Sequence, residues 1–319
     1  MVSYILRRII QAIPILFGVA VISFAIVNIA PGSPIDRFRT PNVSPATLDN
    51  LIRLYGLDKP IPEQFVSWIT TFVQFWRDEA WGYSLSDGRP VRDVVAERIP
   101  ATLLLGGTAL AVTVVLAVPI GILAAVKQYS WADKIITTFA TIGYSIPSFL
   151  LGIYLLYFGG VVLGAFPLFG MRSLVGGGDP LDVAWHLVLP VSSLAIQQIA
   201  GWSRYVRAKM LEVLNQDYVR TAKAKGLSAG RVTYKHALRN ALIPVITLFG
   251  LTLPGLLSGA VITEQIFSWP GLGQLGIGAV AQRDYPLVLA FVMIGGFGVV
   301  IGNLLADVLY GVADPRIKY

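Results

Sequence analysis

The sequence predicts an all-α, polytopic membrane protein with six transmembrane helices, and three observations carry that prediction. Only 13% of the 319 residues are charged, about half the share found in soluble globular chains. Hydrophobic residues make up 55%, and the mean hydropathy is +0.68. Six stretches long enough to cross a bilayer carry no charge, where a span needs about 20 apolar residues.

The stretches follow in order. Ile9 to Ala30 is the first and Ala101 to Val126 the second. The third begins at Ile135 and runs uncharged to Phe169, longer than a bilayer needs. Its helix is expected to end near Gly159-Gly160, with a re-entrant or surface segment after it. Val183 to Ser203, Asn240 to Thr263 and Tyr285 to Ala306 complete the set. A charge at a helix centre costs about 2.5–3.5 kcal/mol on insertion scales, and none of the six carries one. Arg7-Arg8 ahead of a 22-residue apolar run reads as an uncleaved signal anchor, because a cleaved signal has an apolar core of only about 7–15 residues.

Orientation follows from Lys and Arg. With six spans both termini share one side. That side carries 15 Lys/Arg and a net +11, and the opposite side 10 Lys/Arg and a net −3. Lys/Arg-rich loops face the cytoplasm, so both termini are expected there. The net +7 is thus a topology signal rather than a sign of nucleic-acid binding. Two parts are expected: 1–98, the anchor helix with an extracytoplasmic segment, and 99–319, a five-helix core with an inner loop at about 204–239.

The outer segment from Pro31 to Arg98 holds two helix signals, one starting at Ser44-Pro45 and one at Pro62-Glu63. In the second, Phe65, Trp68, Ile69, Phe72, Phe75 and Trp76 recur at helical spacing and form one stripe. The stripe fits a helix lying on the membrane, a helix packed on the protein, or an aromatic sugar-binding platform. In the inner loop, Asp217 to Lys225 is a helical run. Gly226 suits a left-handed cap, and Ser228 can open a second helix through Arg239. Tyr218 and Ala222 share one face, Thr221 and Lys225 the next. Small Ala222 beside Gly226 predicts a shallow docking surface. A basic loop resting on anionic lipid heads is the alternative.

The chemistry of an enzyme or motor is missing. There is no Cys and only two His, His186 and His236. The sequence contains no GxxxxGK[ST], no HExxH and no GxSxG. Ion-coupled carriers place ionisable groups in mid-membrane. Here Glu264 and Asp307 fall near span ends, where structural partners are expected. Gly160/Gly164, Gly255/Gly259 and Gly298/Gly302 are small-residue pairs suited to close helix packing. Pro147, Pro190 and Pro254 are expected to kink spans three to five around a cavity. Ser145, Ser148, Ser192, Ser193 and Gln197 are the polar candidates for a translocation path.

The run Asp217-Tyr218-Val219-Arg220-Thr221-Ala222-Lys223-Ala224-Lys225-Gly226-Leu227, followed by His236-Ala237-Leu238-Arg239-Asn240-Ala241, resembles the coupling loop of ABC importer membrane subunits. The branch it resembles is the dipeptide/oligopeptide permease family. Pro31-Gly32-Ser33-Pro34, Arg98-Ile99-Pro100-Ala101-Thr102-Leu103, Phe267-Ser268-Trp269-Pro270-Gly271-Leu272-Gly273 and Asp314-Pro315-Arg316-Ile317 also fit, so the resemblance spans the chain. It departs from the general ABC-importer loop at Arg220 and Thr221, which stand where Glu and Ala are usual, and at His236 and Arg239. The resemblance implies the ABC importer type I permease fold and a non-catalytic subunit that binds no cofactor. ATP and Mg would sit in two partner ATPase subunits, gripping Asp217, Tyr218, Arg220, Thr221, Ala222, Lys225, Gly226 and Leu227. A second homologous permease subunit would complete the path. An extracytoplasmic binding protein would meet an outer loop containing Phe267, Trp269, Pro270, Gly271 and Gly273. Peptides are the implied cargo, with oligosaccharides, glutathione or nickel complexes as alternatives within the same type. An ATPase-independent carrier or channel and an intramembrane enzyme are the readings from other classes.

Overall fold

The structure is a computed structural model that describes residues 2–39, 43–74, 76–77, 80–233, 238, 243–258 and 260–313. Among these residues the architecture is helical, with a single isolated bridge between Tyr83 and Pro90. Four helices are long and apolar enough to cross a membrane: α1 (Val2–Ile29), α4 (Val91–Val126), α7 (Pro180–Leu214) and α13 (Tyr285–Ala313). The bent pair α5 (Trp131–Ser145) and α6 (Ser148–Leu155), the latter extended by a π-helical run through Val162, is long and apolar enough only when taken together, as a broken span or a re-entrant segment. Asn240 to Thr263 corresponds to α10 (Ile243–Ser258), 16 residues long, with 239–242 and 259 outside the described residues.

The bend in the third stretch has a local cause. Proline excludes the α-region for the residue before it, and Ile146 is extended at ψ 124°. Pro147 then leads into α6, and the two helices meet at 101°. Helix structure continues past Gly159-Gly160 to Val162. Pro190 and Pro254, expected to interrupt spans four and five, lie inside helices that run on through them. A proline's lost bond is tolerated in a packed membrane helix when neighbours re-satisfy the backbone.

Two helices exceed even the full bilayer of about 40–45 Å with its headgroups. At 1.5 Å per residue, the 35 residues of α7 reach about 52 Å, against roughly 30 Å of hydrocarbon. Its last turns therefore project beyond the membrane and carry the inner loop. α4, at 36 residues, starts ten residues before the charge-free stretch because Val91, Val94 and Val95 are buried against Leu272, Leu287 and Ala290. The expected boundary at 98 falls inside this continuous helix.

α4 packs along α7, and α10 along α13. At the first crossing Leu110, Ala117, Trp202, Val206 and Met210 form the core. Gly121 makes it possible, since a Cβ there would sit 2.7 Å from the Ser203 carbonyl oxygen and from Val206. Gly250 plays the same part against Ala306. Of the small-residue pairs expected from sequence, Gly298 and Gly302 are buried on α13. Gly255 is exposed with open space around it, and Gly164 serves a turn at φ +58°.

The outer segment folds onto the anchor. Ser44 caps α2 (Pro45–Leu54) by accepting the Thr47 amide at 3.2 Å. In α3 (Ile61–Val73) the aromatic stripe packs. Phe65, Trp68, Ile69 and Phe72 lie against Ala20, Phe24 and Val27 of α1 and against Leu289 and Met293 of α13. Trp68 stacks on Phe24 at 5.6 Å and Trp81 on Phe72 at 5.2 Å. Phe75 lies outside the described residues, and Trp76 is exposed.

Ion pairs tie the inner ends. Arg8 of α1 meets Asp307 of α13 at 3.0 Å, the structural partnership expected for that acid. Arg207 of α7 grips Asp133 of α5 with both nitrogens, at 2.7 and 2.8 Å. Asp133 also accepts the Tyr129 amide and is only 4% exposed. Removing one partner of a buried pair leaves an unmatched charge, whereas replacing both with apolar groups is often neutral. Arg207→Ala is therefore expected to cost about 3 kcal/mol, and Asp133→Leu/Arg207→Met clearly less. Thermal unfolding of the detergent-purified variants, run as a double-mutant cycle, checks the order.

Candidate functional site

Two surfaces carry the functional argument, the inner corner and the outer loop, with the bent helix pair between them. At the inner corner α7 ends at Leu214, and α8 (Asp217–Ala224) turns back from it. Gly226 adopts φ +77°, a left-handed backbone that glycine takes without strain. The Leu227 amide then reaches back to the Ala222 carbonyl at 3.3 Å, the six-to-one bond of a Schellman cap. A short helical turn, α9 (Ala229–Arg231), follows. Val219, Ala222 and Val232 are buried together and pack on Val213, Leu214 and Leu227. The corner is thus fixed to the end of α7 by its own small core.

That core reverses one expectation. Ala222 is turned inward at 7% exposure and offers no docking surface. The face turned to solvent consists of Asp217, Tyr218, Arg220, Thr221, Lys225 and Gly226. The Arg220–Asp217 pair is 3.9 Å apart and exposed, so it contributes little stability. Thr221 donates its hydroxyl to the Asp217 carbonyl at 2.9 Å. His236 and Arg239, where the sequence departs from the general loop, lie outside the described residues, as does Asp314 to Ile317.

On the outer side α11 (Val261–Ile266) leads through the loop 267–271 into α12 (Leu272–Ala281). The loop is pinned by a hydrogen-bond chain. The fully buried Glu264 carboxylate accepts the Thr102 hydroxyl at 2.9 Å and the Gln274 amide at 3.0 Å. Thr102 in turn accepts the Leu272 amide at 2.7 Å. The Trp269 indole donates to the Ala101 carbonyl at 2.8 Å. Gly271 and Gly273 lie so close to Glu264 that a Cβ at either would collide with its carboxylate.

Phe267 and Trp269 are therefore interior side chains, 2% and 0% exposed. A partner approaching this loop meets Gln265 and Ser268, with Pro270 half-buried. Burial is the physical reason the aromatic residues do not present themselves: an indole out of water needs both packing and an acceptor, and Ala101 supplies the acceptor.

Between the two surfaces, the α5–α6 bend frees backbone carbonyls in the membrane. Gln197 donates to the Ile146 carbonyl and Ser193 to the Ser148 carbonyl, each at 3.3 Å. Ser148, Ser193 and Gln197 thus converge on the bend. Ser145 is exposed at the end of α5 and bonds to the Thr141 carbonyl at 2.8 Å, while Ser192 bonds within α7 at 2.6 Å. No local pattern singled out Gln198, whose Oε1 is buried without a partner among the described residues. Nor did it pair Thr102 with Glu264, 162 positions apart. No cluster of three or more metal-ligating side chains occurs among the described residues.

A helical membrane chain ending one long helix in a capped corner, and pinning a loop near the other end, has the build of a transporter's membrane subunit. Residues 117–319 match the family described as binding-protein-dependent transport system inner membrane component, and residues 1–106 match its N-terminal family. The chain belongs to this family of ABC importer permeases. It is 43% identical to the oligopeptide transport system permease protein AppB of Bacillus subtilis (strain 168), covering all of both chains. A putative peptide permease protein of Brucella ovis is 40% identical, over 100% of this chain and 99% of that one. The glutathione transport system permease protein GsiC of Shigella flexneri serotype 5b is 37% identical over all of both. Among solved structures, the inward-facing MetNI methionine ABC transporter matches with a TM-score of 0.55 at 17% identity, over 70% of this chain and 98% of that one. The fold is that of a type I ABC importer permease.

Thr102→Val would strand the Leu272 amide and one Glu264 oxygen. An unsatisfied buried group costs about 1–3 kcal/mol, so hydrogen exchange at the Leu272 and Gln274 amides is expected to speed up by about 10- to 100-fold. Mass-spectrometric exchange on the peptide covering 264–275 reads this, while peptides from α7 should be unchanged.

Proposed function

We propose that the chain forms half of a translocation path for peptides, driven by ATP hydrolysed in two partner ATPase subunits with their Mg. A second homologous permease subunit forms the other half, and an extracytoplasmic binding protein delivers the cargo. The observation that carries this reading is the inner corner: a rigid, self-packed two-helix elbow fixed to a helix of about 52 Å. A flexible basic loop would suffice to rest on lipid. An elbow locked by its own core instead transmits movement.

In this reading Asp217, Tyr218, Arg220, Thr221 and Lys225 enter a groove on the ATPase. Ala222, Gly226 and Leu227 hold the elbow's shape rather than touch the partner. When the ATPases close on ATP, the elbow moves with them, and α7 carries that movement through its contact with α4 toward the outer loop. The α5–α6 bend lies alongside α7, so Ser148, Ser193 and Gln197 change register as it moves. Both termini lie in the cytoplasm, as the Lys/Arg asymmetry requires. The chain works as two parts, an anchor with its outer segment (1–98) and a core (99–319), a division supported by two separate family matches, one ending at 106 and the other beginning at 117. Peptide cargo is favoured by relatives named for oligopeptide and peptide transport. Glutathione is the second reading, because a relative named for its transport is 37% identical over the whole chain.

Gly226 gives the test of the elbow. No atom lies within 4 Å of a Cβ built there, so any effect of substitution comes from the backbone. Valine resists a positive φ, whereas asparagine tolerates it. Gly226→Val is expected to lose most binding-protein-stimulated ATPase activity in the reconstituted transporter while inserting normally, and Gly226→Asn to keep it. Normal ATPase co-purification and transport by the valine variant would refute the docking role. Competition between a labelled oligopeptide and glutathione in the same proteoliposomes decides the cargo.

A further inference from the structure

A cleft of about 620 Å³ opens on the outer side, between the end of α1, the helices α2 and α3, and the first turns of α13. It lies apart from the inner elbow, the outer loop and the α5–α6 bend. One wall is apolar and aromatic, made by Phe24, Val27, Trp68 and Leu289. Arg53 and Lys59 also line the cleft, and no carboxylate is among the residues lining it. Neither cation has an ion-pair partner among the described residues. Trp81 also lines the cleft, and its indole Nε1–H is buried without a hydrogen-bond partner among the described residues. An orphaned buried donor is rare and calls for an explanation.

The site therefore offers positive charge that no described residue answers, beside apolar and aromatic side chains. Tyr55, also in the lining, keeps its proton: burial first, then the Asp284 carboxylate, push its phenol above the ordinary range. Asp284 itself does not compete for the cations. It is fully buried and taken up by Ser84 at 2.6 Å and by the amide and hydroxyl of Ser86 at 2.9 and 2.8 Å.

Position selects the ligand. Phe24 and Val27 sit in the last two turns of α1. Around the helix from them, Ile26 and Ile29 are 62% and 81% exposed, as lipid-facing residues at the end of a span are. The cleft is thus level with the outer membrane boundary and continuous with a lipid-facing helix. We propose that it binds an anionic phospholipid of the outer leaflet. Arg53 and Lys59 would meet the phosphate, and Phe24, Trp68 and Leu289 the start of an acyl chain. Clustered cations over an apolar slot at a membrane boundary are a recognised lipid-headgroup chemistry, and a charge-assisted bond to phosphate is roughly twice as strong as a neutral one. Such a lipid would brace the outer segment against α1 and α13.

The test uses the full chain in a neutral maltoside detergent. Dioctanoyl phosphatidylglycerol is titrated in, and the bound lipid is counted by native mass spectrometry alongside tryptophan fluorescence. The expected result is one bound lipid, with affinity at least tenfold weaker in Arg53→Gln/Lys59→Gln. Lys59 is exposed, so Lys59→Glu is a second variant that removes no buried contact and should weaken binding in the same way. Arg39→Gln, a cation already facing Asp36 at 3.3 Å, should leave it unchanged. Dioctanoyl phosphatidylcholine should bind at least tenfold more weakly, and inorganic phosphate should not displace the lipid. Equal binding by the Arg53/Lys59 variants, equal binding of the zwitterionic lipid, or displacement by inorganic phosphate alone would each overturn the proposal. No transport is measured, so the outcome is independent of the cargo.

Discussion

A carboxylate taken out of water must be answered by donors in place, and three such groups organise this molecule. Glu264 gathers Thr102 and the start of α12. Asp284 gathers the turn at Ser84 and Ser86 and caps α13 through the Leu287 amide at 3.3 Å. Asp133 gathers Arg207 and the Tyr129 turn. Within the bilayer the hydrophobic effect does not choose between helix arrangements, because lipid tails are as apolar as leucine. Fixed polar contacts at the helix ends therefore settle which helix meets which, and close packing at Gly121 and Gly250 fills in between them.

These anchors leave α7 as the mechanical centre. Its outer end starts beneath a cap in which Asp179 accepts the Asp182 amide at 2.7 Å. Near its middle it supports the α5–α6 bend through Ser193 and Gln197. Its inner end carries both the Arg207 latch and the elbow. One rigid element thus touches every region where the transport reading needs movement to begin, pass or end. The outer loop, with Trp269 sealed against Ala101, is built to move with α4 rather than independently of it.

The outer segment is a different kind of structure. Aromatic pairs in stacked or edge-to-face contact contribute about 0.5–1.5 kcal/mol each beyond the area they bury. α3 exploits this, laying Phe65, Trp68 and Phe72 across α1 and α13. The same geometry leaves a cleft with unanswered cations beside it. A segment that sequence alone leaves open between membrane, protein and sugar contacts is thereby a clamp over two spans with an anion-seeking pocket in its side.

Charge-free length and Lys/Arg asymmetry determined the helical membrane class and its expected orientation, because insertion is decided segment by segment by local composition. Local chemistry likewise fixed the Gly226 cap, the Ser44 cap and the break at Pro147, since each depends on the residue and its immediate neighbours. Only the tertiary structure decided which side chains face inward. Ala222 reads as a docking surface on local pattern, yet is covered by Val213, Leu214 and Val232 once the chain turns at Gly226. Phe267 and Trp269, outward-facing by resemblance, lie buried, and Trp269 packs on Ala101 and Leu105, distant in sequence. The Glu264–Thr102 and Asp133–Arg207 contacts join positions 162 and 74 apart, and no periodicity within a helix encodes a pairing between helices.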